Sequence, residues 1–500
     1  MPDLTETYDK LTAELRRLDR LHSISGLLGW DEQVNLPAGS AVLRSEQNAA
    51  YSELLHREGT SAELGRMLDA LEADADALDF ERRRVVEVAR RDYDQAVKLP
   101  GEFVSRKARN DSLAYHAWAK ARESGEFAPF APMLKGQIDT AIEQAGILGH
   151  GDAPYDYWID QFDPGTNLAA VESLFGPLEA ELAPLAQRLA DAAAAFKPAE
   201  LRGFDIAGQQ AMLNDVLRHM GFDFGHGRVD TAPHPFCDGG GQDTRITTRY
   251  DEDNPLDSLF SAMHECGHAL YEQGLPDARA GTALGLAAGM AVHESQSRIW
   301  ENQVGRSRSF WAFWEERFRK RFPTQLQSVS GEDLYRTINH VKPGPVRLDA
   351  DEVTYNLHII LRFNLEKDLL SGRLSPAELP QAWRAQSKAL LGVEPGNERE
   401  GCMQDVHWAC GLFGYFPSYT LGNLLAAQLW ERVNAETPDL DQAFSSGNFR
   451  PLLDWLRKNV HAYARRYTTD GLALRVSGSK LSHKAFISYI NGRYLPLHHF

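Results

Sequence analysis

The chain has 500 residues, 43% of them hydrophobic and 25% charged, the balance of a globular protein able to bury a large core. Lys and Arg number 53 against 70 Asp and Glu, and the formal charge of -17 argues against nucleic-acid binding and against a polybasic membrane contact. The 4 cysteines, Cys237, Cys266, Cys402 and Cys410, are too few for a disulfide framework; they read as small packed residues in a reduced, cytoplasmic setting.

The start, Met1-Pro-Asp-Leu, has no positive region leading into an apolar stretch, so no secretory signal is expected. From Leu11 to Leu28 apolar residues recur at spacings of three and four, and the Ala-rich stretch Leu178 to Phe196 has few breakers; both predict helix. Glycine and proline gather at joints (Asp163-Pro-Gly, Lys342-Pro-Gly-Pro, Glu394-Pro-Gly-Asn) and not in long linkers. One region differs. Asp243 to Tyr250 is β-branched and partly alternating, follows the turn-rich Asp238 to Gln242, and predicts a strand of a small sheet. No repeat and no composition break divides the chain, so residues 1–500 are expected to form one mostly helical domain.

Asn254 to Gly274 carries its own helix boundaries: Asn254 as N-cap, Pro255 at the first position, Gly274 and Pro276 as stops. Leu256, Leu259, Phe260, Met263, Gly267, Leu270 and Tyr271 make its apolar stripe. His264 and His268 lie four apart, about 40° around the axis, so both imidazoles can reach one ion. Glu265 is offset by about 100°, beside the metal and free to act on its water as general base. Next comes Ala283 to Trp300, expected to be a second helix whose small residues allow close packing and which delivers Glu294 as third ligand. Its apolar run, Ala283 to Val292, is too short to span a bilayer. Two His and one Glu with a fourth position open is the arrangement of a catalytic zinc and not of a structural one. The bland alternative is a helix with two packed histidines and a surface salt bridge at Glu294.

Six short motifs then occur in order. They are His234-Pro-Phe236, Asp243-Thr-Arg-Ile-Thr247, His264-Glu-Cys-Gly-His268, His293-Glu-Ser-Gln296, Val346-Arg-Leu-Asp-Ala-Asp351 and Gly401-Cys-Met-Gln-Asp-Val-His-Trp408. Together they resemble the carboxypeptidase Taq family of metallocarboxypeptidases, with Val346 where the family has Ile. The resemblance implies two helical lobes around a deep groove with a small β-sheet near the site, a fold shared with neurolysin-like and angiotensin-converting-enzyme-like peptidases. It also implies release of single C-terminal amino acids from peptides with broad specificity, a homodimer, and Zn2+ or Co2+ as cofactor.

Two further roles need residues. The oxyanion of the tetrahedral intermediate needs a donor, and the candidates are His407, Tyr419 and, close behind, Tyr415. A free α-carboxylate is best read by the planar fork of an arginine. Arg347 is the first choice and Arg245 the second, unless they are tied up with Asp243, Asp349 or Asp351; His234 is a weaker candidate for the groove wall. Competing functions are an endo-oligopeptidase or dipeptidyl carboxypeptidase on the same scaffold, or a non-catalytic helical peptide-binding protein.

Overall fold

The computed structural model describes residues 4–497. Helices Leu4–Val34, Ala41–Gly59, Ala62–Ala73 and Phe80–Lys98 open the chain, and the Ser61 and Asp79 side chains cap the third and fourth by accepting from the Leu64 and Arg82 amides. Their apolar faces (Leu11, Leu18, Leu64, Leu68, Leu71, Val86) close on one another in a cluster of their own. The seam to the rest of the molecule is mostly polar. Across it, among the described residues, buried Trp30 of the first helix lies under the guanidinium groups of Arg228 and Arg245, and buried Val85 joins a small group with Ala283 and Leu284. Around that group Glu81 pairs with Arg279 and Arg466, Arg91 pairs with Asp160, and Arg84 Nε donates to the Arg465 carbonyl at 3.0 Å.

From Gly101 onward the helices share one large core. The Ala-rich stretch lies, as expected, in a helix, Leu168–Ala193. Helices Tyr355–Leu370 and Phe416–Glu436 run through the middle and are buried on nearly every face. A three-stranded sheet, order β1-β3-β2, interrupts the helices: β1 (Gly227–Thr231) runs parallel to β3 (Asp243–Thr248), and β2 (Cys237–Gly240) pairs with it antiparallel, Cys237 opposite Ile246. The expected strand is thus the central one. Its buried face packs on the helix that follows, where Thr248 Oγ1 donates to the Ser258 carbonyl at 3.3 Å. A cavity of about 430 Å3 opens between the first helix (Asp19 to Trp30), the β2–β3 turn and the end of helix Pro255–Glu272.

Two local expectations need correction. Asn254 does precede helix Pro255–Glu272, but its side chain makes no capping hydrogen bond. Its backbone carbonyl instead accepts from the Asp257 amide at 3.2 Å. The second helix begins only at Met290, and Ala283 to Gly289 form turns. Gly285 and Gly289 weaken helix there, and the Tyr271 hydroxyl accepts from the Ala288 amide at 3.1 Å, holding the segment in another path. Among the described residues no helix is long and apolar enough to cross a membrane.

Candidate metal centre and active site

Helices Pro255–Glu272 and Met290–Arg298 meet with almost no space between them. A Cβ added at Gly267 would lie 2.5 Å from the Ser297 Cα, so the two backbones touch at that point. On the other side, a Cβ at Gly422 of helix Phe416–Glu436 would lie 2.6 Å from Cβ and Cγ of Glu294. Glycine at both positions is a packing requirement. The start of helix Met290–Arg298 is tied from a distance. Buried Asp163 accepts from the Ala291 amide at 2.9 Å, and also from the hydroxyls of Ser418 and Thr469.

The result is a convergence of donors. His264 Nε2 and His268 Nε2 lie 3.2 Å apart, and Glu294 Oε2 is 3.5 Å from each. Donors at the corners of a tetrahedron, each about 2.0–2.1 Å from a central zinc-sized ion, stand about 3.3 Å apart. The residues therefore fit a divalent metal, and among the described residues they are the one group of three or more that does.

Each donor is held from behind. Glu294 Oε1 accepts from Arg298 Nε at 2.6 Å, which leaves Oε2 for the histidines. His264 Nδ1 donates to Glu301 Oε2 at 2.8 Å, and Glu301 lies in the π-helical turn Ile299–Val304, a distortion common at functional sites. Burial pushes the Glu301 carboxyl up, but Arg298 and the bond to His264 outweigh it and bring it down to about 2. Glu301 is thus a carboxylate that keeps His264 Nε2 turned toward the centre. His268 has a different support, with its Nδ1 2.6 Å from His293 Nδ1. Glu265 is 8% exposed, and burial pushes its carboxyl up to about 7, with Glu294 and Glu301 adding and His264 opposing. A cation at the triad would favour the carboxylate and pull that value down.

A second cluster gathers positive charge. Arg347 donates through Nε and Nη2 to Asp405 Oδ1 at 3.1 and 2.7 Å, and through Nη1 to the Tyr355 hydroxyl at 3.0 Å. Arg362, fully buried, donates through Nε to Asp405 Oδ2 at 2.6 Å and through Nη2 to Gln404 Oε1 at 2.7 Å. Two guanidinium groups thus share one carboxylate. Burial works against the charged Asp405, yet the two arginines hold it well below the usual carboxylate range. The aromatic wall beside them contains Tyr419 and Tyr415, with ring centres 5.3 Å apart, and the Arg347 guanidinium lies 5.1 Å from the Tyr419 ring centre. His407 Nε2 is 3.3 Å from the Tyr419 hydroxyl, and burial, reinforced by Arg347 and Arg362, drives this imidazole down to about 4.

The structure thus brings His264, His268, Glu294 and Glu265 together, and Arg347 together with Tyr419, Tyr415 and His407. The partner of Arg347 is Asp405, not Asp349 or Asp351. Arg245 stands apart from both groups: it forms a two-point pair with Asp243 at 2.9 and 2.8 Å, stacks 4.2 Å over Trp30, and lines the cavity beside the first helix. His234 is exposed on the loop before β2. Sequence reasoning missed Glu301, Arg362, Asp405, Tyr355 and the His293–Glu272 pair. Asp405 and His293 were within reach, since each lies inside a quoted motif; Arg362 and Glu301 carry no local signal.

The model of the family described as carboxypeptidase Taq (M32) metallopeptidase matches residues 10–494. The chain is 38% identical to thermostable carboxypeptidase 1 of Thermus thermophilus, over 98% of this chain and 99% of that protein, and 33% identical to carboxypeptidase 1 of Bacillus subtilis over the same shares. Among solved structures it is similar to the M32 carboxypeptidase of Deinococcus radiodurans (TM-score 0.95, 40% identity, 99% of this chain and 100% of that one). It is also similar to the carboxypeptidase of Pyrococcus furiosus (TM-score 0.95, 32% identity, 98% and 99%).

Proposed function

The chain belongs to the carboxypeptidase Taq (M32) metallopeptidase family and is a metal-dependent carboxypeptidase, and from that premise we propose that it releases single amino acids from the C-terminus of peptides with broad side-chain tolerance, using Zn2+ or, in its place, Co2+. The observation that carries the reading is the convergence of His264, His268 and Glu294 beside buried Glu265.

A divalent ion bound there supplies Lewis acidity and lowers the pKa of a water to about 7. Glu265 takes the proton from the attacking water on its carboxylate and hands it to the departing amine. Burial serves the first half of this exchange, because it raises the affinity of the Glu265 carboxyl for the proton above that of an exposed carboxylate. His407, kept neutral, donates from Nε2 to the Tyr419 oxygen, which leaves the Tyr419 hydrogen free for the carbonyl oxygen as it gains charge; Tyr415 lies alongside. Burial raises the Tyr419 hydroxyl far above its ordinary value, so it stays a donor.

Arg347 reads the terminal carboxylate. One Asp405 carboxylate between two guanidinium groups leaves the cluster one positive charge in excess, and a substrate carboxylate balances it. Arg245 and His234 are kept for contacts farther along the peptide. The same reading makes the enzyme a cytoplasmic homodimer acting on peptides, away from nucleic acid and membranes; the net charge of -17 and the free cysteines support this.

Digestion of free and C-terminally amidated copies of one peptide, with and without chelator, read by mass spectrometry, tests the proposal. Stepwise loss of single residues from the free peptide alone, abolished by chelator, is expected. Internal fragments from the amidated peptide would instead indicate an endopeptidase. Restoration by zinc against cobalt tests the metal, and light scattering tests the dimer.

A further inference from the structure

The two metal histidines are supported differently, and the difference gives two more residues a role. His264 leans on a carboxylate directly, through Glu301. His268 does not: its Nδ1 meets another imidazole, His293 Nδ1, at 2.6 Å, and His293 Nε2 in turn meets Glu272 Oε1 at 2.9 Å. We propose that His293 and Glu272 form a positioning relay that fixes the tautomer and the ring angle of His268, and with them the affinity for the metal. The inference rests on His268 being a ligand through Nε2.

Proton bookkeeping along the relay leaves one solution. For His268 Nε2 to present a lone pair to the ion, its ring proton must be on Nδ1. Two nitrogens 2.6 Å apart cannot both carry hydrogen, so His293 Nδ1 is bare and accepts. The proton of His293 is then on Nε2, facing Glu272, and a carboxylate can only accept. Glu272 therefore selects the tautomer of His293, and His293 selects that of His268. Without the carboxylate, His293 is free to protonate at Nδ1, which would set two N–H groups against each other and turn the His268 ring off the ion. Packing supports the arrangement. The Tyr271 ring, fully buried, meets His293 edge-on at 5.1 Å and restricts its rotation. Glu272 follows His268 by one helical turn on the same helix, and His293 comes from the helix that carries Glu294. The relay thus also locks together the two elements that supply ligands. Glu272, at the outer end of the relay, also lines the cavity beside the first helix.

The test uses full-length enzyme stripped with chelator and reloaded with Co2+ as probe, its affinity measured against a competing chromogenic chelator and its ligand geometry by visible absorption. Glu272→Ala and His293→Ala are expected to weaken cobalt binding about 10- to 100-fold and to change the absorption bands. Glu272→Gln, nearly isosteric, is expected to lose less. His293→Asn, whose side-chain oxygen can replace Nδ1 as acceptor, is expected to recover part of what His293→Ala loses. His268→Ala is the control and should abolish binding. If His268→Ala still binds cobalt normally, the ligand assignment itself is wrong. If it does not, and both Glu272 variants hold cobalt within about twofold of the parent with unchanged bands, the relay is refuted. Should His293→Ala fail to fold, the Glu272 variants decide alone.

Discussion

The metal centre and the arginine cluster are both buried sets of charges, and they are unbalanced in opposite directions. Around His264 and His268 carboxylates prevail: Glu265, Glu294 and Glu301 face Arg298, with Arg306 farther off at 3.7 Å. Around Asp405 guanidinium groups prevail, two against one. Burying an unbalanced charge is costly unless something arrives to balance it. One site is short of a cation and the other of an anion. Under the proposed function, a peptide bond beside a free carboxylate, presented to a metal ion, would meet both needs at once.

The largest break in this comparison comes from removing chemistry while leaving charge nearly intact. Glu265→Gln should lower kcat about a thousandfold or more while the protein keeps its metal, because only proton transfer is lost. Turnover near normal, with metal measured by atomic emission, would sink the general-base role. Next, Arg347→Ala should lower kcat/KM on free peptides by about 3 kcal/mol, roughly a hundredfold, with metal content unchanged. Arg347→Lys should recover only part, since an ammonium lacks the planar two-point contact. A large drop in melting temperature with Arg347→Ala would instead assign the residue to holding Asp405 in place.

Gly422→Ala separates the two sites more gently. The added methyl enters the space of the Glu294 side chain, so metal affinity should fall about tenfold with KM for metal-saturated enzyme little changed. Equal losses in both quantities would mean the two clusters are not independent. A test outside both sites concerns a third buried carboxyl, Glu366, one helical turn beyond Arg362 and, among the described residues, without a cation beside it. It accepts from the Tyr155 hydroxyl, Trp408 Nε1 and the Gly414 amide, yet burial pushes its carboxyl from 4.5 up to about 7. Between those values the folded form binds the extra proton, so this group's contribution to stability is full at low pH and is lost as pH rises through about 7. Glu366→Gln should flatten that fall, on the order of 3 kcal/mol, in denaturation curves taken from pH 4.5 to 8. An unchanged slope would show the carboxyl to be ionised throughout.

How far the sequence could be read follows the same division. The candidate metal centre was legible because His264 and His268 sit four apart on one helix, where periodicity alone puts them on one face, and Glu294 comes from the middle of the next helix. The arginine cluster was half legible. Arg347 stands in a motif, but its partner Asp405 lies 58 residues on and is shared with Arg362 on a buried helix. Ion pairs of this kind depend on how helices cross, and no local pattern records a crossing. The same limit explains the choice of Asp349 or Asp351 as partners for Arg347: they are near in sequence, but Asp351 turns back to accept from the Val353 and Thr354 amides. The helix expected over Ala283 to Trp300 failed at its start because tertiary bonds from Tyr271 and Asp163 decide where it begins.

The first four helices bury most of their apolar side chains among themselves and meet the rest of the chain through ion pairs, through Trp30 under two sheet arginines, and through the narrow apolar bridge of Val85, Ala283 and Leu284. Cooperativity between two bodies depends on the apolar surface they bury together, and here that surface is small. Melting should therefore begin in this segment, and raised salt should advance its onset more than it moves the main transition, since screening weakens exposed charge pairs and leaves a packed core alone. Amide hydrogen exchange would show it as a block, residues 4–98 losing protection together while helix Phe416–Glu436 remains closed. Because Asp19 to Trp30 form one wall of the cavity at the end of helix Pro255–Glu272, the least cooperative part of this molecule also decides the shape of that cavity.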